Sequence, residues 1–212
     1  MTDSVVNSWL FQAKQKVRQK TVNTDSVENL DKRQKPIAVM VTAADCAIDP
    51  HYLTGANPGT FYVLRNAGGL VPPGGGDGID LATGASLEFA VQVHAVRHIV
   101  VMTSPHCGLL NCLLNEDADG IGAVVGGQFL PNWTKLVGSA INRVANKNIS
   151  REDRIRIFSQ ELIRISFENL MTYPWILDRV FNGSISLHGW YCDEVEGVFS
   201  CFDPSTDEFI SN

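Results

Sequence analysis

The chain has 212 residues, of which 44% are hydrophobic and 19% charged, values that are ordinary for a packed globular protein. A chain of this length buries enough surface to fold as one domain without disulfide bonds, and its five cysteines cannot all pair with one another. The formal net charge of −6 argues against nucleic acid or an anionic membrane as a partner, and we expect a protein of the reducing cytoplasm.

The first 35 residues differ in character from the rest. Apolar residues recur at helical spacing over residues 4–20, and residues 21–35 are polar. We therefore predict an N-terminal helical arm and linker over residues 1–35, followed by one domain over residues 36–212.

Three short runs rich in branched apolar residues, at 37–41, 61–64 and 99–102, do not alternate with polar residues. Such runs are typical of strands that are buried on both faces of a parallel sheet. A helical pattern over residues 86–98, with Ser86 as its predicted N-cap, separates the second run from the third. Strand, helix and strand in this order predict a right-handed crossover.

Further helices are predicted over residues 134–145 and 151–172, the second capped by Ser150 and ended by Tyr173-Pro174. Residues 184–188 and 198–202 favour two strands joined as a hairpin. The predicted fold class is α/β: a central, mostly parallel β-sheet flanked by helices, with an N-terminal helical arm.

Two segments follow predicted strands, at residues 42–47 and 103–108, and each contains a cysteine beside polar residues. Ligands of open α/β sheets bind beyond the carboxyl ends of the strands, and thiolates are common metal ligands. A single cysteine is, however, more often a small buried apolar residue. The residue types alone leave both interpretations open.

Several short motifs occur in a fixed order between residues 37 and 110 and again near the C-terminus. They are Thr54-Gly55, Pro58-Gly59, Arg65-Asn66-Ala67-Gly68, residues 86–91, Asn169-Leu170, Pro174, Leu187-His188-Gly189-Trp190 and Gly197. With these motifs the chain resembles the β-class carbonic anhydrases beyond its first ~35 residues.

The resemblance implies a Zn²⁺ ion held by two cysteines and one histidine, from a Cys-x-Asp-x-Arg motif and a His-x-x-Cys motif. Counted back from Arg65, the first motif falls on Ala43, Asp45 and Ala47. The aspartate is therefore retained, whereas alanine replaces both the cysteine and the arginine. Asp45 is then a vestige of the catalytic residue.

In the second motif Cys107 occupies the position of the cysteine ligand, and Ser104 replaces the histidine. Two of the three zinc ligands are thus replaced, so we expect no zinc cofactor and no zinc-dependent CO₂ hydration. The expected protein is a non-catalytic binding, structural or regulatory homologue. Its pocket, which would take a small anion such as bicarbonate, is lined by Ala43, Ala47, Arg65, Ser104 and Gly108. For Asp45 and Arg65, a purely structural contact is an equally good interpretation.

The alternative is an active carbonic anhydrase, or a related lyase or hydrolase, whose rearranged zinc site uses Cys46, His106 and Cys107.

The resemblance also implies a homodimer or higher oligomer in which the arm packs on the partner, and an active carbonic anhydrase is a candidate regulatory partner. We assign no chemistry to the glycine-rich segments 74–78 and 120–127. His94 and His98, one helical turn apart, favour a packed or solvated helix pair, and Cys192 and Cys201 favour buried thiols.

Overall fold

The computed structural model describes residues 35–75, 81–114, 127–145 and 149–211. Apart from Lys35, the predicted N-terminal arm lies outside these ranges, as do most of the two glycine-rich segments. Within the described ranges, no helix is both long enough and apolar enough to cross a membrane.

A six-stranded sheet with the order β2-β1-β3-β4-β5-β6 forms the centre of the domain. The strands are β1 (Ala38–Ala43), β2 (Phe61–Asn66), β3 (His98–Thr103), β4 (Ser186–Asp193), β5 (Val198–Asp203) and β6 (Glu208–Ser211). The first four are parallel to one another, and the last two continue the sheet in antiparallel fashion. The predicted mostly parallel α/β fold is confirmed.

The described helices lie between and around these strands. They are α1 (Pro50–Thr54), α2 (Leu81–Glu88), α3 (Gly108–Leu114), α4 (Leu130–Thr134), α5 (Gly138–Ala145), α6 (Arg151–Leu170) and α7 (Pro174–Phe181). Short 3₁₀ turns follow β2 and α4, and a π-helical turn at Phe89–Val93 follows α2.

Two predictions about α2 were wrong. Ser86 lies inside the helix, which already begins at Leu81, so Ser86 is not its N-cap. His94 follows the π-helical turn and His98 begins β3, so the two histidines do not share a helix face. By contrast, the side chain of Ser150 accepts a hydrogen bond from the Asp153 N–H, and the predicted cap of α6 is confirmed.

The core follows from the burial of β1 and β3 on both faces. On one face, Val39, Val41, Ile99 and Val101 are fully buried in a cluster that continues into α2, α6 and α7. On the other face, Met40 and Met102 pack with Cys192 and the partly buried Trp190. A third cluster joins the ends of these strands to α3, α5 and α6.

Gly189 in β4 allows α6 to approach the sheet closely. A Cβ atom at this position would lie 2.4 Å from Ile163 Cγ2 and 2.9 Å from Phe202 Cβ, both too short for any side chain. The His188-Gly189-Trp190 motif therefore serves packing, as its sequence suggested. All five cysteines are free, and Cys192 pairs with Phe199 across the hairpin instead of with Cys201.

Candidate functional site

Three parallel strands end at the same edge of the sheet, and the residues that follow them meet there. Strand β1 lies between β2 and β3. The chain leaves β1 towards β2 and leaves β3 towards β4, so these two connections depart in opposite directions and leave a crevice at this edge. Ala43 ends β1, Ser104 follows β3, and Asp193 ends β4. The two segments singled out from sequence are therefore joined by a third, at the β4–β5 turn.

Arg65 shapes the segment after β1. Its guanidinium donates hydrogen bonds to the main-chain carbonyls of Ala43, Cys46 and Ile48, at 3.1, 2.8 and 2.8 Å. The segment consequently turns around the arginine, and the methyl group of Ala43 points into an apolar cluster that includes Leu70. These contacts give Arg65 a structural role in the site.

Asp45 links the segments after β1 and β3. Its Oδ2 accepts a hydrogen bond of 2.6 Å from the main-chain N–H of Gly108, at the start of α3. A Cβ atom at residue 108 would itself lie 2.6 Å from this oxygen, so glycine permits the approach. The carboxylate thus stands beside Cys107, close enough to influence its ionisation.

Cys107 is a core thiol. It is 1% exposed and belongs to the same apolar cluster as Ala43. Burial raises the pKa of the Cys107 thiol to about 11, and the negative charge of Asp45 acts in the same direction, whereas main-chain N–H groups of α3 partly oppose the shift. The neutral thiol therefore predominates near pH 7.

Ser104, the residue at the expected histidine position, is engaged by its neighbours. Its hydroxyl donates to Glu194 Oε2 at 3.1 Å and accepts from the main-chain N–H of His106 at 3.1 Å. The Nε2 atom of the His106 ring lies 3.2 Å from Asp193 Oδ1. One hydroxyl thereby connects the segment after β3 to the β4–β5 turn.

The β4–β5 turn is held by Asp193. Partial burial disfavours its charge, but hydrogen bonds from the Glu196 N–H, the His106 ring and the Val195 N–H together keep the pKa of its carboxyl below the usual value. Burial raises the pKa of the nearby Cys192 thiol, and the charge of Glu194 adds to that effect. The turn therefore presents the ionised carboxylate of Asp193 to the site.

The structure groups the sequence-predicted residues in two sets. Ala43, Asp45, Cys107 and Gly108 lie together around the end of β1. His106 lies instead beside Asp193 and Glu194. Among the described residues, these three form a group whose possible metal-ligand atoms are close to one another. Cys46, His106 and Cys107, the set of the alternative interpretation, do not converge as a three-ligand group among the described residues.

Ala47 lies on another surface of the site. It lines a cavity of about 1010 Å³ together with α1, the β4–β5 turn and the aromatic side chains of Trp190 and Phe199. The cavity walls are largely apolar, and Glu194 stands at its border. The cavity therefore extends from the edge of the sheet to the face opposite α6.

Sequence reasoning missed Asp193 and Glu194. The predicted strand ends at residue 188 and leaves both residues in the connection of the hairpin. Strand β4 in fact continues to Asp193 and runs parallel to β3, with Thr103 opposite Tyr191. A longer predicted β4 would have placed these carboxylates at the same edge as Ser104.

Comparison with known proteins agrees with this architecture. The sequence model of the carbonic anhydrase family matches residues 38–199, which include every strand of the parallel sheet and both segments of the site. The chain belongs to the β-class carbonic anhydrase family.

Relatives in this family share about a third of the sequence. A carbonic anhydrase of Synechococcus elongatus is 32% identical over 82% of this chain and 62% of its own length. One from Synechocystis is 31% identical over 88% of this chain and 67% of its own length. The matched region thus spans about two thirds of these two relatives.

Solved structures of the family have the same fold. The β-carbonic anhydrase CcaA superposes with a TM-score of 0.82 at 28% identity, covering 97% of this chain and 98% of that one. A tetrameric β-carbonic anhydrase from the ascomycete Sordaria macrospora superposes with a TM-score of 0.73 at 21% identity, over 94% and 95% of the two chains.

Proposed function

We propose that this chain is a non-catalytic member of the carbonic anhydrase family, acting as a binding, structural or regulatory homologue. The observation that carries the proposal is the residue set at the carboxyl edge of the sheet. In the register set by Arg65, Ala43 and Ser104 stand where the family's zinc ligands are expected, and Ala47 stands where its arginine is expected.

The chemistry of these side chains does not fit the family's zinc ion. Ala43 has no lone pair to donate and packs in an apolar cluster. The Ser104 hydroxyl is hydrogen-bonded to Glu194, which leaves Cys107 as the one thiol at an expected ligand position. Zinc in proteins binds thiolate, imidazole or carboxylate groups, usually in a set of at least three.

The remaining pocket favours a small anion such as bicarbonate as ligand, because Arg65 supplies a positive charge beside Ala43 and Cys46. Three of its N–H donors already bind main-chain carbonyls. Binding of an anion there is accordingly expected to be weak and to weaken further with ionic strength.

The alternative of an active enzyme with a rearranged zinc site receives less support. It needs Cys46, His106 and Cys107 around one ion, and it needs the Cys107 thiolate. The His106 ring lies 3.2 Å from Asp193 instead, and these three side chains do not converge as a ligand group among the described residues.

We further propose that the chain forms a homodimer, with its N-terminal arm packed on the partner. The cavity beside α1 supports this, since Tyr52 is 90% exposed at its rim and Val198 is 41% exposed. Apolar surface of this kind is typical of interfaces.

Five free cysteines suit a reducing compartment such as the cytoplasm, where an active carbonic anhydrase would be an available partner.

A stopped-flow assay of CO₂ hydration, in the presence of added Zn²⁺, tests the proposed loss of catalysis. We expect the wild-type rate to equal that of buffer. We expect measurable activity only after Ala43→Cys, Ala47→Arg and Ser104→His are combined, because these changes supply the missing groups. Wild-type activity that disappears in Cys107→Ser and persists in the control Cys112→Ser would overturn the proposal.

A further inference from the structure

A second group of candidate ligands lies at the same edge of the sheet, beside the inherited pocket. His106, Asp193 and Glu194 each offer one ligand atom, and these atoms all lie within 4.8 Å of one another. We propose that these three side chains form a binding site for a divalent transition-metal ion, with Zn²⁺ as the preferred ion. This inference goes beyond the proposed function, because it requires neither Ala43 nor Cys107 and involves no CO₂ chemistry.

The spacing of two of the ligand atoms already suits a metal ion. His106 Nε2 and Asp193 Oδ1 are 3.2 Å apart. Two ligands at ~2.1 Å from a tetrahedral zinc ion are separated by about 3.4 Å, so little movement is needed to admit the ion. A carboxylate oxygen of Glu194 already lies within 4.8 Å of both of these atoms, so the third ligand stands beside the first two.

Solvent reaches this group from outside the core. The side chain of His106 is 45% exposed and that of Asp193 is 14% exposed, so an ion enters without any change of the main chain. The ion would replace the hydrogen bond between the imidazole and the carboxylate. Water molecules would fill its remaining coordination positions.

Neighbouring hydrogen bonds position the ligands. Asp193 Oδ1 accepts the main-chain N–H groups of Val195 and Glu196, which fix the carboxylate relative to the turn. The Ser104 hydroxyl binds both Glu194 Oε2 and the His106 N–H. Ser104 is therefore a positioning residue for two of the three ligands, and outer contacts of this kind are typically worth 10–100-fold in metal affinity.

The donor set decides which ions bind. Two carboxylates balance the charge of a divalent cation, and the imidazole nitrogen favours zinc and its neighbours over Mg²⁺ or Ca²⁺, which take oxygen ligands. A rival site is the pair of His98 Nδ1 and His188 Nε2, which are also 3.2 Å apart. No carboxylate or thiol completes that pair within the described ranges, so we expect it to bind metal more weakly.

Titration of the full-length, metal-free protein with Zn²⁺ by calorimetry tests the proposal, and the visible spectrum of a Co²⁺ complex provides a second readout. We expect one ion per chain. Affinity is expected to fall at least ~100-fold in His106→Ala and in Asp193→Asn, and ~10–100-fold in Ser104→Ala. Glu194→Gln, a change in an exposed turn, provides a ligand variant with little effect on folding.

Two matched variants separate this site from its rivals. His98→Gln and Cys107→Ser are expected to bind Zn²⁺ as the wild type does. The proposal is overturned if the wild type binds no Zn²⁺, or if His106→Ala and Glu194→Gln both leave the affinity unchanged. It is also overturned if His98→Gln abolishes binding. Loss of binding in Cys107→Ser alone would instead place the ion at the inherited position and would contradict the proposed function as well.

Discussion

The protonation of Cys107 gives a quantitative test of the altered site. With the pKa of this thiol raised to about 11, from an ordinary value of 9.0, about 0.1% of it is thiolate at pH 8, against about 10% for an ordinary cysteine. Alkylation proceeds through the thiolate. Iodoacetamide at pH 8 is therefore expected to modify Cys107 at least ~10-fold more slowly than an ordinary cysteine, because the greater nucleophilicity of a more basic thiolate offsets part of its lower thiolate fraction. The 1% exposure of Cys107 slows the reaction further.

Peptide-resolved mass spectrometry of a time course measures this rate for each cysteine in the same sample. Cys112 is the internal control, because it lies within α3, five residues after Cys107, and is partly exposed. We expect Cys112 to be modified long before Cys107. Equal rates for the two cysteines in the native protein would refute the description of Cys107 as a buried, neutral thiol.

The same thiol links stability to pH. Its pKa is higher in the folded chain than in the unfolded chain, so its contribution is complete below pH ~9 and is lost as the pH rises towards 11. The full contribution is about 2–3 kcal/mol as an upper limit. Urea unfolding at pH 7.5 and 10.5 should show a smaller loss of stability in Cys107→Ala than in the wild type, and an identical loss would contradict the assignment.

Three other predictions concern the scaffold. Gly189→Ala forces a methyl group against α6 and should lower the free energy of unfolding by about 2 kcal/mol, seen as a fall of about 4–8 °C in Tm. The control Gly138→Ala, which has open space around its Cβ, should not lower Tm. Arg65→Met should also cost about 2 kcal/mol in urea unfolding, because three carbonyls lose their donor, while the exposed ion-pair residue Arg156 tolerates the same change with a loss under ~1 kcal/mol. Removal of residues 1–30 should convert dimers to monomers or insoluble protein in light-scattering measurements, and an unchanged dimer would exclude the arm as the interface.

The parts of the fold that were predicted are those determined locally. Strands β1 and β3 were predicted from uninterrupted apolar runs, since burial on both faces leaves no place for polar residues. The start of α6 was predicted from Ser150, because an N-cap depends on side chains within one turn. The family motifs then gave the register that places Ala43 and Ser104 at the edge of the sheet.

The parts that were missed depend on distant partners. Strand β6 has only four residues and gains its structure from pairing with β5, so its own composition does not indicate it. The approach of His106 to Asp193 depends on the pairing of β3 with β4. A turn motif read in isolation shows the local role of Asp193 and leaves its contact across the sheet undetected.

The strand order also constrains how the chain folds during synthesis. Strands β1, β2 and β3 are complete once the first half of the chain has emerged, but β3 pairs with β4, in which His188 lies 90 residues beyond His98. Until β4 is synthesised, the edge of β3 therefore has unpaired main-chain N–H and C=O groups. Exposed strand edges of this kind promote aggregation. Early chaperone contact, ending only when β4 is made, is the expected consequence for this family member.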